Sequence, residues 1–125
     1  MTASPPSPHS APDIHPRDVP PALLAALSSR FGAQCSTALV VREQHGRDES
    51  AFTHVPPPAA VVFAENTTDV ADAMKLAAQF KVPVIPFGVG SSLEGHLLAV
   101  QGGISLDVSR MNRVLSVNAE DLTVT

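Results

Sequence analysis

The residues best suited to chemistry fall in one run, Val82-Pro83-Val84-Ile85-Pro86-Phe87-Gly88-Val89-Gly90-Ser91-Ser92-Leu93-Glu94-Gly95-His96. It opens as an apolar, β-branched strand bounded by Pro and then breaks into glycines and serines. Gly88 and Gly90 carry no side chain, so a ligand can approach the main chain closely there. Successive N–H groups in such a loop can turn to one side and form a nest for anionic oxygens. Ser91 and Ser92 add hydroxyl donors at the same place. These residue types point to a loop for a phosphate or diphosphate; the plain alternative is an ordinary Gly-rich turn.

The two standard phosphate loops do not fit. A dinucleotide fingerprint needs G-x-G-x-x-G opening a helix, and Leu93 stands where the third Gly belongs. A Walker loop needs Gly-Lys-Ser/Thr, and no Lys follows Lys81. Other chemistry-bearing residues are weaker. His45, Asp48 and Glu49 lie close together in Arg42-Glu-Gln-His-Gly-Arg-Asp-Glu-Ser50, where metal binding or acid–base work competes with a solvated loop. Cys35 is the single cysteine, so no internal disulfide exists, and an inert buried thiol is favoured over a nucleophile. His9 and His15 read as surface residues. No metal site and no catalytic residue are assigned.

The elements that must position the loop follow from periodicity. Met1 to about Pro20 is Pro-rich and reads as a disordered tail. Leu23, Leu24, Leu27 and Phe31 form a helical stripe after Pro20-Pro21, with Gly32 as C-cap, predicting a helix over 21–31. Thr37 to Val41 reads as a short strand, and residues 21–58 together lead into the main domain, 59–125. Ala60 to Ala64 is a buried strand. Thr67 or Thr68 caps a helix running to about Phe80, with Val70, Ala73, Met74, Ala77 and Phe80 on its core stripe. Val82 to Phe87 follows as a second strand. Strand, helix, strand with short links is a βαβ unit with parallel strands. In open parallel sheets ligands bind beyond the carboxyl ends of strands, and the Gly88–Ser92 loop leaves from such an end. Ile104 to Val108, Val114 to Val117 and Leu122 to Thr125 read as further short strands, and the last has no terminator.

Composition removes several function classes. A formal net charge of −4 argues against a nucleic-acid surface. Five Phe with no Trp or Tyr make a base-stacking platform improbable. No stretch is long enough to span a membrane, and residues 1–10 have neither the basic nor the apolar region of a secretory signal. A cytoplasmic location is the expectation, and nothing indicates an oligomeric state.

The segments Ala60-Val-Val-Phe63, Asn66-Thr-Thr-Asp-Val70, Val82 to His96, Gly102-Gly-Ile-Ser-Leu-Asp107 and Met111-Asn-Arg-Val-Leu115 together resemble the FAD-linked oxidases. These form the vanillyl-alcohol oxidase / p-cresol methylhydroxylase superfamily. The likeness is strongest to its D-lactate dehydrogenase (cytochrome) and glycolate-oxidase FAD-subunit branch, whose leading segment Arg42 to Ser50 also resembles. It implies an α+β fold, the first half of a p-cresol-methylhydroxylase-type FAD-binding domain. By that resemblance Gly88, Val89, Gly90, Ser91 and Ser92 contact the FAD diphosphate, flanked by Pro86, Phe87 and Leu93, with Glu94, Gly95 and His96 nearby. His96 is also a conceivable covalent flavin attachment point, although a structural His is favoured. The resemblance further implies hydride transfer from a D-2-hydroxy acid to flavin and a cytochrome or quinone as electron acceptor. The substrate-binding and base residues lie later in such proteins, so the chain reads as an N-terminal fragment. The alternative is a non-catalytic nucleotide-binding or assembly module on the same scaffold.

Overall fold

The structure is a computed structural model that describes residues 16–50 and 55–125. The expectations for His9, His15 and most of the Pro-rich tail lie outside those residues. Residues 16–20, expected to be disordered, instead pack on the domain. The Arg17 N–H donates to the Gln101 carbonyl at 3.2 Å, and its guanidinium reaches Gln101 Oε1 at 3.0 Å.

Helix α1 spans Pro21–Phe31, starting with Pro at N1 and ending at Gly32 with φ +52°. Leu23, Leu27 and Phe31 recur at i, i+4 and i+8 and are buried. Strand β1 (Cys35–Ser36) follows, then helix α2 (Leu39–Gln44). The strand expected at Thr37–Val41 is thus mostly helix. Leu39 and Val40 are exposed, so there was no buried sheet face for these apolar residues to fill. Main-chain bonds from Arg42 to Ala38 and from His45 to Val41 close the turn, and Arg42 Nε ties it to the Pro58 carbonyl at 2.6 Å.

Next come β2 (Val61–Phe63), α3 (Thr67–Gln79), β3 (Val84–Phe87) and β4 (Ile104–Asp107). The sheet order is β1-β2-β4-β3, with β1 antiparallel to β2 and the other pairings parallel. The βαβ unit is present with parallel strands, but β4 lies between its two strands. All four residues of β4 are buried, and a strand covered on both faces belongs at the centre of a sheet. A small exposed hairpin, β5 (Val117–Asn118) with β6 (Thr123–Val124), ends the chain. Both strands are shorter than expected.

One sheet face packs on α1 and α3. Leu23, Leu27, Phe31, Ala73 and Ala77 meet Ala60, Val62, Ala64, Ile104 and Leu106 in one core. Met74, expected in that core, is 47% exposed because small alanines already bring the helix close to the sheet. The cap of α3 is Asn66 rather than a Thr: its Oδ1 accepts the Asp69 N–H at 2.9 Å. Asp69 in turn accepts from Arg30, Gln34, Asn66 and the Glu65 N–H at 3.0–3.2 Å, locking α3 to α1. Side chains alternate across a strand, so Phe63, Asp107 and Phe87 lie in register on the opposite face, at the carboxyl ends of three parallel strands.

Candidate functional site

The loop leaves β3 at that carboxyl end. Pro86 and Phe87 are its last strand residues, and Gly88 to Gly95 continue without regular structure. The residues singled out from Pro86 to His96 thus form one continuous stretch at this end of the sheet. Gly88 is exposed, its φ is not positive, and a Cβ placed on it meets nothing within 4 Å. Gly90 differs: its φ is +74°, and a Cβ there would come within 2.9 Å of Phe87 Cζ. Gly95 is also left-handed, at φ +81°. Only glycine meets the left-handed positions without strain.

Among the described residues, none of the N–H groups from Gly88 to Glu94 has an internal acceptor. These donors are open to water or to an anionic ligand. Val89 and Leu93 are 87% and 65% exposed, and Ser91 and Glu94 are also open.

The far end of the loop is tied to the segment after α2. Ser92 Oγ donates to Asp48 Oδ2 at 3.2 Å, and the Glu49 N–H donates to the Ser92 carbonyl at 3.4 Å. The His96 N–H donates to Ser92 Oγ at 3.3 Å, and His96 Nδ1 lies 3.2 Å from the same oxygen. With the hydroxyl hydrogen on Asp48, Nδ1 must be the protonated nitrogen. Asp48 is held below the usual carboxylate range by Ser50 first, whose N–H reaches Oδ1 at 3.0 Å, and by Ser92 and the Gly95 backbone.

Beneath the loop is a group that sequence reasoning placed in a solvated segment. His45 is buried. Its Nδ1 lies 2.8 Å from the Val41 carbonyl and its Nε2 2.8 Å from Asp107 Oδ2. Its ring meets Phe87 at 4.2 Å between centroids and Phe63 edge-on at 5.4 Å. Both ring nitrogens are therefore committed, which leaves His45 no free ligand atom for the metal or acid–base role weighed from spacing. Burial pushes the Asp107 carboxyl up, but bonds from Ser109 and His45 outweigh it and hold it below its ordinary value. Two sequence signals pointed here: an Asp closing an otherwise buried strand, and a His one helical turn after Val41. Among the described residues no cluster of three His, Cys, Asp or Glu side chains forms a metal site.

A family profile described as an FAD binding domain matches residues 58–125. The probable mitochondrial D-lactate dehydrogenase of Danio rerio is 41% identical over 90 residues, covering 72% of this chain and 18% of that protein. The mitochondrial D-lactate dehydrogenase (cytochrome) of Arabidopsis thaliana is 34% identical over 109 residues, covering 86% of this chain and 19% of that protein. The chain thus spans about a fifth of the length of these relatives. An alkyldihydroxyacetonephosphate synthase structure superposes with TM-score 0.72 at 26% identity, covering 90% of this chain and 25% of that one. A substrate-bound p-cresol methylhydroxylase shares the fold, with TM-score 0.60 at 15% identity over 82% of this chain and 22% of that one. The chain belongs to the FAD-binding-domain family, as its p-cresol-methylhydroxylase-type fold and its D-lactate dehydrogenase relatives both attest, and FAD is that family's cofactor.

Proposed function

We propose that this chain holds the diphosphate of FAD on the Gly88–Ser92 loop, as part of an oxidoreductase acting on a D-2-hydroxy acid such as D-lactate or glycolate. The observation that carries the site assignment is the run of uncommitted N–H donors from Gly88 to Glu94 beside the open flank of Gly88. Gly88, Val89, Gly90, Ser91 and Ser92 supply donors to the phosphate oxygens. Pro86, Phe87, Leu93, Glu94 and Gly95 shape the two ends of the cradle. Such donors are prepaid: the fold fixes them before the ligand arrives, so charge is stabilised with little reorganisation. When bound, FAD supplies hydride acceptance, chemistry that no side chain here provides. The substrate preference is supported by the D-lactate dehydrogenase names of the relatives. Their names also support a cytochrome-type electron acceptor, with a quinone as the other candidate. The residues that bind and deprotonate the hydroxy acid belong to a part of the protein beyond this chain.

The reading is tested by adding D-lactate, L-lactate and glycolate anaerobically to the FAD-loaded protein of full relative length that contains this chain. Bleaching of the flavin band by D-lactate or glycolate, and not by L-lactate, is expected. A flavin that binds but resists all three would replace the enzyme with the non-catalytic nucleotide-binding module. Among the described residues no helix is long and apolar enough to cross a membrane. The cytoplasm is the proposed location. Recovery of the protein in the mitochondrial fraction, as the relatives' names would lead one to look for, would overturn it.

A further inference from the structure

We propose that His45 is a positioning residue for the Gly-rich loop: clamped between α2 and Asp107, it fixes the Phe87 ring against which Gly90 turns. The inference rests on the FAD-binding reading only for its functional consequence; the positioning itself is a property of the protein alone.

The geometry forms an unbroken relay. Phe63, Asp107 and Phe87 stand side by side across β2, β4 and β3, and the His45 ring covers all three. Phe87 is the last strand residue before the loop. Its ring tip is what a Cβ on Gly90 would strike at 2.9 Å, so loop and ring are in direct packing contact. The ring cannot retreat, because His45 backs it at 4.2 Å between centroids.

His45 itself is fixed from both sides. Nδ1 lies 2.8 Å from the Val41 carbonyl on α2, and Nε2 lies 2.8 Å from Asp107 Oδ2 on β4. The buried ring is thus pinned between the C-terminal end of α2 and the central strand. Gly46 follows, and a Cβ there would press on Pro57 and Pro58 at 3.0–3.1 Å, so the backbone behind the ring is closely seated. Three residues on, Asp48 fastens the other end of the loop through Ser92. The segment 45–49 therefore holds the loop at both ends.

The test is nitrogen-correlated NMR on the full chain without flavin, followed by FAD titration. His45→Gln should move the amide signals of Gly88, Gly90 and Ser91 while those of α1 stay in place. Ala77→Gly, in the core on the opposite sheet face, is the control for general loosening and should do the reverse. Phe87→Leu keeps the His45–Asp107 pair and removes the relay, so it should move the loop signals even if His45→Gln fails to fold. FAD affinity should fall on the order of tenfold in either relay variant, the scale of a modest misplacement of the loop donors. Unmoved loop signals in folded His45→Gln or Phe87→Leu would overturn the inference. If loop signals move but neither these variants nor Gly88→Asp changes FAD affinity, the positioning stands and the diphosphate assignment fails.

Discussion

Two glycines two residues apart should respond oppositely to alanine. Gly90 has φ +74°, where an L-residue costs about 1–2 kcal/mol. Its new methyl would also lie 2.9 Å from Phe87 Cζ, forcing the ring toward a histidine that already packs against it at 4.2 Å. Overpacking of that kind adds roughly 1 kcal/mol, so Gly90→Ala should lower the unfolding free energy by about 2–3 kcal/mol. Gly88 has no positive φ and open space around the added methyl, so Gly88→Ala should stay within about 0.5 kcal/mol of wild type. That methyl nevertheless occupies the flank by which a diphosphate reaches the N–H groups, so Gly88→Ala should weaken FAD binding without weakening the fold. Urea denaturation followed by far-UV circular dichroism measures the first pair of values, and flavin titration the second. Equal stability losses at the two positions, or a stable Gly88→Ala that binds FAD as well as wild type, would refute the reasoning.

Asp69→Ala removes the acceptor for four donors, Arg30 and Gln34 from the α1 side and Asn66 and the Glu65 N–H at the α3 cap, and should cost about 2–4 kcal/mol, read from the denaturation midpoint. Gln34 first, then the Glu65 N–H and Arg30, hold Asp69 below its ordinary value. A depressed carboxylate contributes its full stabilisation above an unfolded pKa of about 4 and loses it as pH falls through the lower folded value. Acid unfolding should therefore be shallower in Asp69→Asn than in wild type below that point; an unchanged acid limb would count against the pairing. Gly103 has φ +118°, and a Cβ there collides with the Pro83 carbonyl at the start of β3. Gly103→Ala should cost more than Gly90→Ala, about 3 kcal/mol or more, because backbone cannot swing away as a ring can; equal midpoints for the two would argue otherwise.

Local signals in the sequence carried a large part of this fold. The Leu23-Leu27-Phe31 stripe with Pro before it and Gly after it marks α1 to the residue. The loop was legible because glycine, serine and a preceding apolar strand occur together, and because the family resemblance rests on the same run. What was missed depended on partners distant in sequence. Asp107 and His45 are 62 residues apart, and nothing local says that one neutralises the burial cost of the other. For the same reason Arg42 to Ser50 read as a solvated loop: its charges are plain, and its one buried ring is visible only once β4 is placed. The central position of β4 is likewise a property of the whole sheet, since each strand alone is compatible with several orders. Met74 was misplaced by a periodicity that does not register how closely Ala73 and Ala77 draw the helix in. Asn66 displaced the threonines as cap through reciprocal bonding with Asp69, a pairing that spacing permits at several positions.

The central claim is that the backbone of this loop receives a diphosphate. Its most direct test is the visible spectrum of the protein, as this chain and within any longer protein that contains it, after FAD is added and the unbound flavin is removed. The account predicts a retained flavin band that Gly88→Asp and Gly90→Asp abolish, because a carboxylate placed there both fills the approach and repels the phosphates. A protein of full relative length that stays colourless, or one whose flavin band survives both substitutions, would contradict it.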